Sequence, residues 1–297
     1  MTVIELIEAC SARLTEAGVS FGQGTTNAFD EAAWLVLWRL QMPLDALDDV
    51  EELEVDDVHL AAVHALIDQR ISTRQPAAYL TGEAWLQGVP FTVDARCIIP
   101  RSLIAEPLAE GSIDAWLSDR TRRVLDLCTG NGSLAVLAAM AWPEVTVDAA
   151  DLSTDALAVA RLNIDRHQLA DRITLHCGDG LAAVAGRAYD LILCNPPYVN
   201  QASMDALPAE FNAEPALALA GGADGMDFIR RLLREAAQHL TPDGVLVLEI
   251  GHERPHFDAA FPTLDVVWLP TSAGDDQVLL LTRTALTALP STLPLSP

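Results

Sequence analysis

The chain contains no lysine. All 18 of its basic residues are arginine, set against 42 acidic residues in 297 positions, for a formal charge of −24. The missing lysine reflects a coding bias toward GC-rich codons rather than a function. The shortage of positive charge excludes more, because a field of this sign repels nucleic-acid phosphates and attracts basic partners, which argues against a nucleic-acid substrate. Cysteine is sparse: Cys10, Cys97, Cys128, Cys177 and Cys194 are odd in number and form no Cys-x-x-Cys pair, a pattern against zinc or a dithiol couple and for reduced thiols. Long apolar runs are absent too. Ser133 to Trp142 is about the longest, well short of the roughly 18 residues of a membrane span. No basic residue precedes Arg13, so the start lacks a secretory pattern, and a soluble cytoplasmic protein is expected. What remains is an ordinary globular balance, 51% hydrophobic and 20% charged, enough for one large or two modest domains.

The first eighty residues read as helices. Ile4, Ile7, Cys10 and Leu14 recur at helical spacing, as do Ala33, Trp34, Leu37 and Trp38 after a cap at Asn27 or Asp30, and Val63, Leu66, Ile67 and Ile71. The Trp34/Trp38 pair is read as core. Alternation from Tyr79 to Leu86, a Gln87-Gly88 turn and Val89 to Val93 predict a β-hairpin. From Arg122 onward strands and helices alternate: strands at Val124 to Cys128, Val145 to Ala150, Ile173 to His176, Tyr189 to Cys194 and Val245 to Ile250, with helices at Ser133 to Ala141, Ala156 to Gln168 and Met226 to Leu240. That rhythm predicts an α/β fold with a mostly parallel, Rossmann-like sheet. Two further runs, Asp265 to Leu269 and Gln277 to Thr282, flank a Gly-Asp-Asp turn at 274–276. A closing antiparallel hairpin of this kind is typical of sheets that bind S-adenosylmethionine, not of a dehydrogenase half-sheet. The expected organisation is a helical domain at 1–78, a hairpin linker at 79–98, a catalytic domain at 99–284, and a disordered tail at 285–297 with three prolines and no charge.

Ligands of such sheets sit beyond the carboxyl ends of the strands, where strand order reverses. The first loop there, Asp126 to Ser133, carries Gly130 and Gly132, which let backbone turn tightly against a ligand. The second ends in Asp151, 19 residues beyond Gly132, the usual place for a carboxylate that accepts ribose hydroxyls. In the third, Gly178-Asp179-Gly180, Asp179 can accept an adenine amino group. Either Asp alone could simply cap a helix; the three loops in register point to a nucleoside. The fourth loop, Asn195-Pro196-Pro197-Tyr198, stands where chemistry belongs. A carboxamide or ring amino nitrogen is a poor nucleophile because its lone pair is delocalised. An Asn195 oxygen and the Pro196 carbonyl can accept its two N–H bonds and orient it for methyl transfer, while Tyr198 offers a face for the flat group.

With these residues the chain resembles the HemK family of S-adenosylmethionine-dependent glutamine methyltransferases, over nearly its whole length. Ile99 to Glu106, Leu207 to Phe211, Glu214 to Leu219, Phe21 to Ala28 and Ala77 to Ala84 are similar to its PrmB branch. The resemblance implies S-adenosylmethionine as cofactor and N5-methylation of a glutamine in a basic large-subunit ribosomal protein, protein three. It adds Thr129 and Leu152 to the cofactor residues and Arg101, with Asn195 to Tyr198, to the substrate residues. Because the catalytic sheet uses its own loops on the cofactor, the helical domain and the Tyr79 to Val93 hairpin are the expected surface for the substrate protein. Gln23, Leu103, Asn131 and His252 depart from the residues usual in the branch. The sister branch, acting on peptide-chain release factors, is the alternative substrate class, and an adenine-N6 nucleic-acid methyltransferase a more distant one. His252-Glu253-Arg254-Pro255-His256 fits a zinc-peptidase pattern by letter, but Pro255 between the histidines argues against the regular helix that site needs.

Overall fold

The structure, a computed structural model, describes residues 1–289. The N-terminal helices follow from caps and apolar stripes. α1 (Val3–Glu16) opens with a reciprocal Thr2/Glu5 capping box, and α2 (Ala28–Arg39) is capped by Asn27. After α3 (Leu47–Val50), Asp56 caps α4 (Asp57–Thr73). Val3, Leu6, Cys10, Leu35, Val36, Val63 and Ile67 of these helices form an apolar core, beside a buried ion pair of Glu31 on α2 with Arg70 on α4 at 2.7 Å. Trp34 is half-buried against it, but Trp38 is exposed, contrary to its reading as core. It sits in the last turn of α2, beside the exposed Arg39.

α5 (Ala77–Thr81) leads into the hairpin β1 (Glu83–Leu86) and β2 (Val89–Thr92). Tyr79 is thus helical rather than the start of a strand. The turn after Pro76 buries its ring and lets its hydroxyl donate to the Cys97 carbonyl at 2.5 Å. The rest is α6 (Ala105–Ala109), β3 (Arg123–Leu127), α7 (Ser133–Ala141), β4 (Thr146–Asp151), α8 (Thr154–Arg166), β5 (Ile173–Cys177), β6 (Tyr189–Cys194), α9 (Gln201–Asp205), α10 (Asp227–Glu235), β7 (Leu240–Glu249), α11 (Arg254–Ala260), β8 (Val267–Thr271), β9 (Gly274–Thr282) and α12 (Arg283–Thr287). The sheet runs β5-β4-β3-β6-β7-β9-β8, with β9 alone reversed, antiparallel to both of its neighbours β7 and β8.

Period-two alternation makes the sheet two-sided. Val124, Leu191, Leu193, Val245 and Val247 face the α7 side, while Leu125, Ile192, Leu246 and Leu248 face the α10 side. Three boundaries differ from the sequence reading. α10 stops at Glu235, and the Thr241-Pro242-Asp243-Gly244 stretch lies inside β7, at a register shift before pairing resumes at Leu191 and Val245; Pro242 has no N–H for the ladder. The final turn falls at Ser272-Ala273, because Thr271 pairs directly with Gly274. The expected disordered tail begins with helix: Thr282 caps α12 and Leu286 is buried against the α10-side core, while residues 290–297 lie outside the described residues.

Candidate active site

Leu127 of β3 pairs with both Ala150 of β4 and Cys194 of β6, so the loops that follow these strands start at one level. Strand order reverses between β3 and β6, and a cleft of about 1140 Å3 opens there. It is lined by Arg101, Asp126, Thr129, Gly130, Asp151, Leu152, Asp179, Gly180 and all four residues from Asn195 to Tyr198. Of the residues singled out from sequence, Gly132 alone stands apart. Its left-handed φ of +81° ends the loop, and a Cβ there would lie 3.2 Å from that of Ala160, so it serves the contact of α7 with α8.

The first two loops are knitted together. The Gly130 N–H donates to Asp151 Oδ2 at 2.9 Å and the Ser153 N–H to Asp151 Oδ1 at 2.8 Å. Burial raises the proton affinity of Asp151, and these backbone donors oppose it. Asp126 lies beneath the loop, where its Oδ2 accepts the Thr129 hydroxyl at 2.5 Å and the Ala135 N–H at 3.0 Å, satisfying one orphan donor of α7. Its Oδ1 and the Nδ2 of Asn131 are buried without a partner among the described residues, and both residues line the cleft. At the far end, both oxygens of Asp179 are held by Arg231 of α10, at 2.6 and 2.5 Å, which keeps the carboxyl below its usual range. Leu152, 52% exposed beside it, offers an apolar face.

The fourth loop is immobilised from several sides. The Tyr198 hydroxyl donates to Glu249 Oε1 at 3.0 Å. A side chain on Gly251 would collide with the Tyr198 ring, and one on Gly221 or Gly225 with its backbone. Beyond it the chain crosses the mouth of the cleft as a strap from Asn200 to Gly222, bridged to the loop between Val199 and Ala220. Two buried glutamates fasten the strap. Glu214 takes both guanidinium nitrogens of Arg101, at 2.6 and 2.7 Å. Glu210 accepts the Ser20 N–H at 3.1 Å and lies 3.6 Å from Arg70 and 3.4 Å from Arg74 of the helical unit. Burial disfavours the Glu210 charge, but these donors hold it below the ordinary carboxylate range.

Arg101 therefore organises the cleft wall through Glu214 and stacks over Phe211 at 5.5 Å, more than it reaches free into the cleft. The sequence reading missed Glu249, Glu210, Glu214 and Arg231. A charged residue closing the otherwise apolar run Val245 to Ile250 was the one available signal for Glu249. His252 precedes α11, and Glu253 holds Asn200 at 2.7 Å and His256 at 2.5 Å.

Fold and cleft together define a Rossmann-like methyltransferase. The Methyltransferase small domain family model matches residues 113–226. Among solved structures, the hMettl16 catalytic domain in complex with MAT2A 3′UTR hairpin 1 shares the fold, at 15% identity and a TM-score of 0.53, covering 80% of this chain and 84% of that one. Nearer relatives span almost everything. Ribosomal protein uL3 glutamine methyltransferase of Bordetella pertussis is 55% identical over 95% of each chain, and that of Burkholderia pseudomallei is 49% identical over 97% of this chain and 96% of its own. The protein of the same description from Neisseria meningitidis serogroup B is 45% identical over 95% of this chain and 93% of its own. The chain belongs to the family of ribosomal protein uL3 glutamine methyltransferases.

Proposed function

We propose that this enzyme transfers a methyl group from S-adenosylmethionine to the side-chain amide nitrogen of a glutamine in ribosomal protein uL3. The observation that carries the reading is the Asn195-Pro196-Pro197-Tyr198 loop, fixed at the end of β6 in the same cleft as the Gly130, Asp151 and Asp179 loops. The residues fit the cofactor, since the cleft floor holds an unpartnered buried acceptor on Asp126 and an unpartnered donor on Asn131. Asp151 would hold the ribose hydroxyls, Leu152 and Gly180 the adenine, and Asp179 its amino group, with Thr129 and Gly130 beside them. When bound, the cofactor supplies a sulfonium methyl, the electrophile.

The protein's own task is to make an amide nitrogen nucleophilic. Asn195 Oδ1 and the Pro196 carbonyl accept the two amide N–H bonds, which turns the nitrogen lone pair toward the methyl and favours tetrahedral geometry as positive charge grows there. The oriented nitrogen takes the methyl that the bound cofactor would supply, and one amide proton would leave to solvent. Pro196 and Pro197 limit backbone motion of the acceptor carbonyl. The relatives' descriptions favour uL3 over release factors as substrate.

The test is mass spectrometry of uL3 after incubation with the purified enzyme, reading an increment of about 14 Da on one glutamine. Asn195→Ala should bind cofactor normally in calorimetry yet lose turnover by roughly 10²-fold or more. Intact turnover in that variant removes the mechanism, and methylated release factor with unmodified uL3 removes the substrate.

A further inference from the structure

Glu249 is a buried carboxylate in the cleft wall that the chemistry above does not use. It closes β7, the strand beside β6, and joins two parts of the site. On one side the Tyr198 hydroxyl donates to its Oε1 at 3.0 Å; on the other the Ser102 hydroxyl and the Leu103 N–H donate to its Oε2 at 2.6 and 2.9 Å. All three donors are neutral, and a carboxylate accepts all three at once. An amide or a protonated acid has to turn a donor of its own toward one of them, so that a hydroxyl must swing its own proton away from the wall and lose the hydrogen bond it makes to the carboxylate. Burial raises the proton affinity of Glu249 and the three donors oppose it. The Tyr198 ring packs onto Gly251 and its backbone onto Gly221 and Gly225, so a shift at its hydroxyl is passed on to the loop.

We propose that Glu249, as the carboxylate, is the positioning residue of the methyl-transfer loop: it locks Tyr198 and thereby sets Asn195 Oδ1 and the Pro196 carbonyl where the target amide must dock. The inference rests on the reading of that loop as the glutamine-orienting element. It also accounts for an anion at this point of the wall, since the reaction moves positive charge from sulfur onto the amide nitrogen. A negative charge held by dipoles alone complements that charge in a water-poor site.

The discriminating variant is Glu249→Gln, which keeps the shape and removes the charge. Its kcat on uL3 should fall about 10- to 100-fold, the loss a small misplacement of the acceptor groups produces, while cofactor Kd stays within about threefold. Its thermal midpoint should change little, because the buried charge that is removed and the hydrogen-bond mismatch that replaces it act in opposite directions. A merely structural residue behaves otherwise: midpoint and kcat fall together, and that result overturns the proposal, as does wild-type kcat in the variant. Tyr198→Phe provides the second arm, and the only one needed if Glu249→Gln does not fold. It removes the hydroxyl that Glu249 holds and should lower kcat several-fold with unchanged cofactor Kd, whereas wild-type kcat there overturns the proposal. With both variants folded, the double variant should be no slower than Glu249→Gln alone, and multiplied losses show that Glu249 does not act through Tyr198. Failure of the function itself looks different, because then the wild-type enzyme leaves uL3 unmodified.

Discussion

Against the first turn of α7, desolvation pushes the Asp126 carboxyl up to about 7, with the Thr129 hydroxyl and Ala135 N–H pulling the other way. The unfolded chain titrates this group near about 3.9, so the folded state holds the proton more tightly and stability drains away as pH rises from about 4 to about 7. Asp126→Asn keeps an oxygen for both donors and carries no charge. Its unfolding free energy should therefore gain on the wild type across that interval, read by urea denaturation at several pH values; a constant difference shows that Asp126 does not titrate there. Sequence made Asp126 visible as a polar residue in an apolar strand, but it could not say that one oxygen serves the helix while the other is left over. Glu249 gave a similar signal two strands away, across β6. Its meaning depends on Tyr198, Ser102 and Leu103, which are 51, 147 and 146 residues distant along the chain.

Elements with strong periodicity or tight turns were legible: α7, β6 and the closing pair β8 and β9 fall where the pattern places them, give or take a turn. The strap was not. Between α9 and α10 it is built of short 3-10 turns, Ala209–Ala213 and Ala216–Ala218, with no period to read, and its course is set by ion pairs to residues more than a hundred positions away. Glycines show the same divide between local and distant causes. Gly132 and Gly186 both have left-handed φ, +81° and +76°, yet a Cβ meets Ala160 at the first and open space at the second. Gly186→Ala should cost about 1 kcal/mol of backbone strain. Gly132→Ala should cost that and roughly 1–2 kcal/mol more for forcing α7 from α8. Equal losses in chemical denaturation mean that the two helices tolerate the methyl.

At the scale of the molecule, the charge of −24 is a long-range field around the cleft. A positively charged partner meets that field before it meets any pocket, and on that reading kcat/KM on uL3 should fall steeply between about 50 and 300 mM salt while cofactor affinity hardly changes. A flat profile reduces the charge to a matter of solubility. The helical unit and the sheet are joined by more than the hairpin between them, because Glu210 of the strap is buried against Ser20, Arg70 and Arg74. A chimera that takes its first 75 residues from one relative and its sheet from another inherits that joint from two parents. The natural breakpoint is therefore not a single cut: Glu210 has to travel with the helices, as a second, discontinuous part of the same inherited module, while Glu214 stays with its partner Arg101.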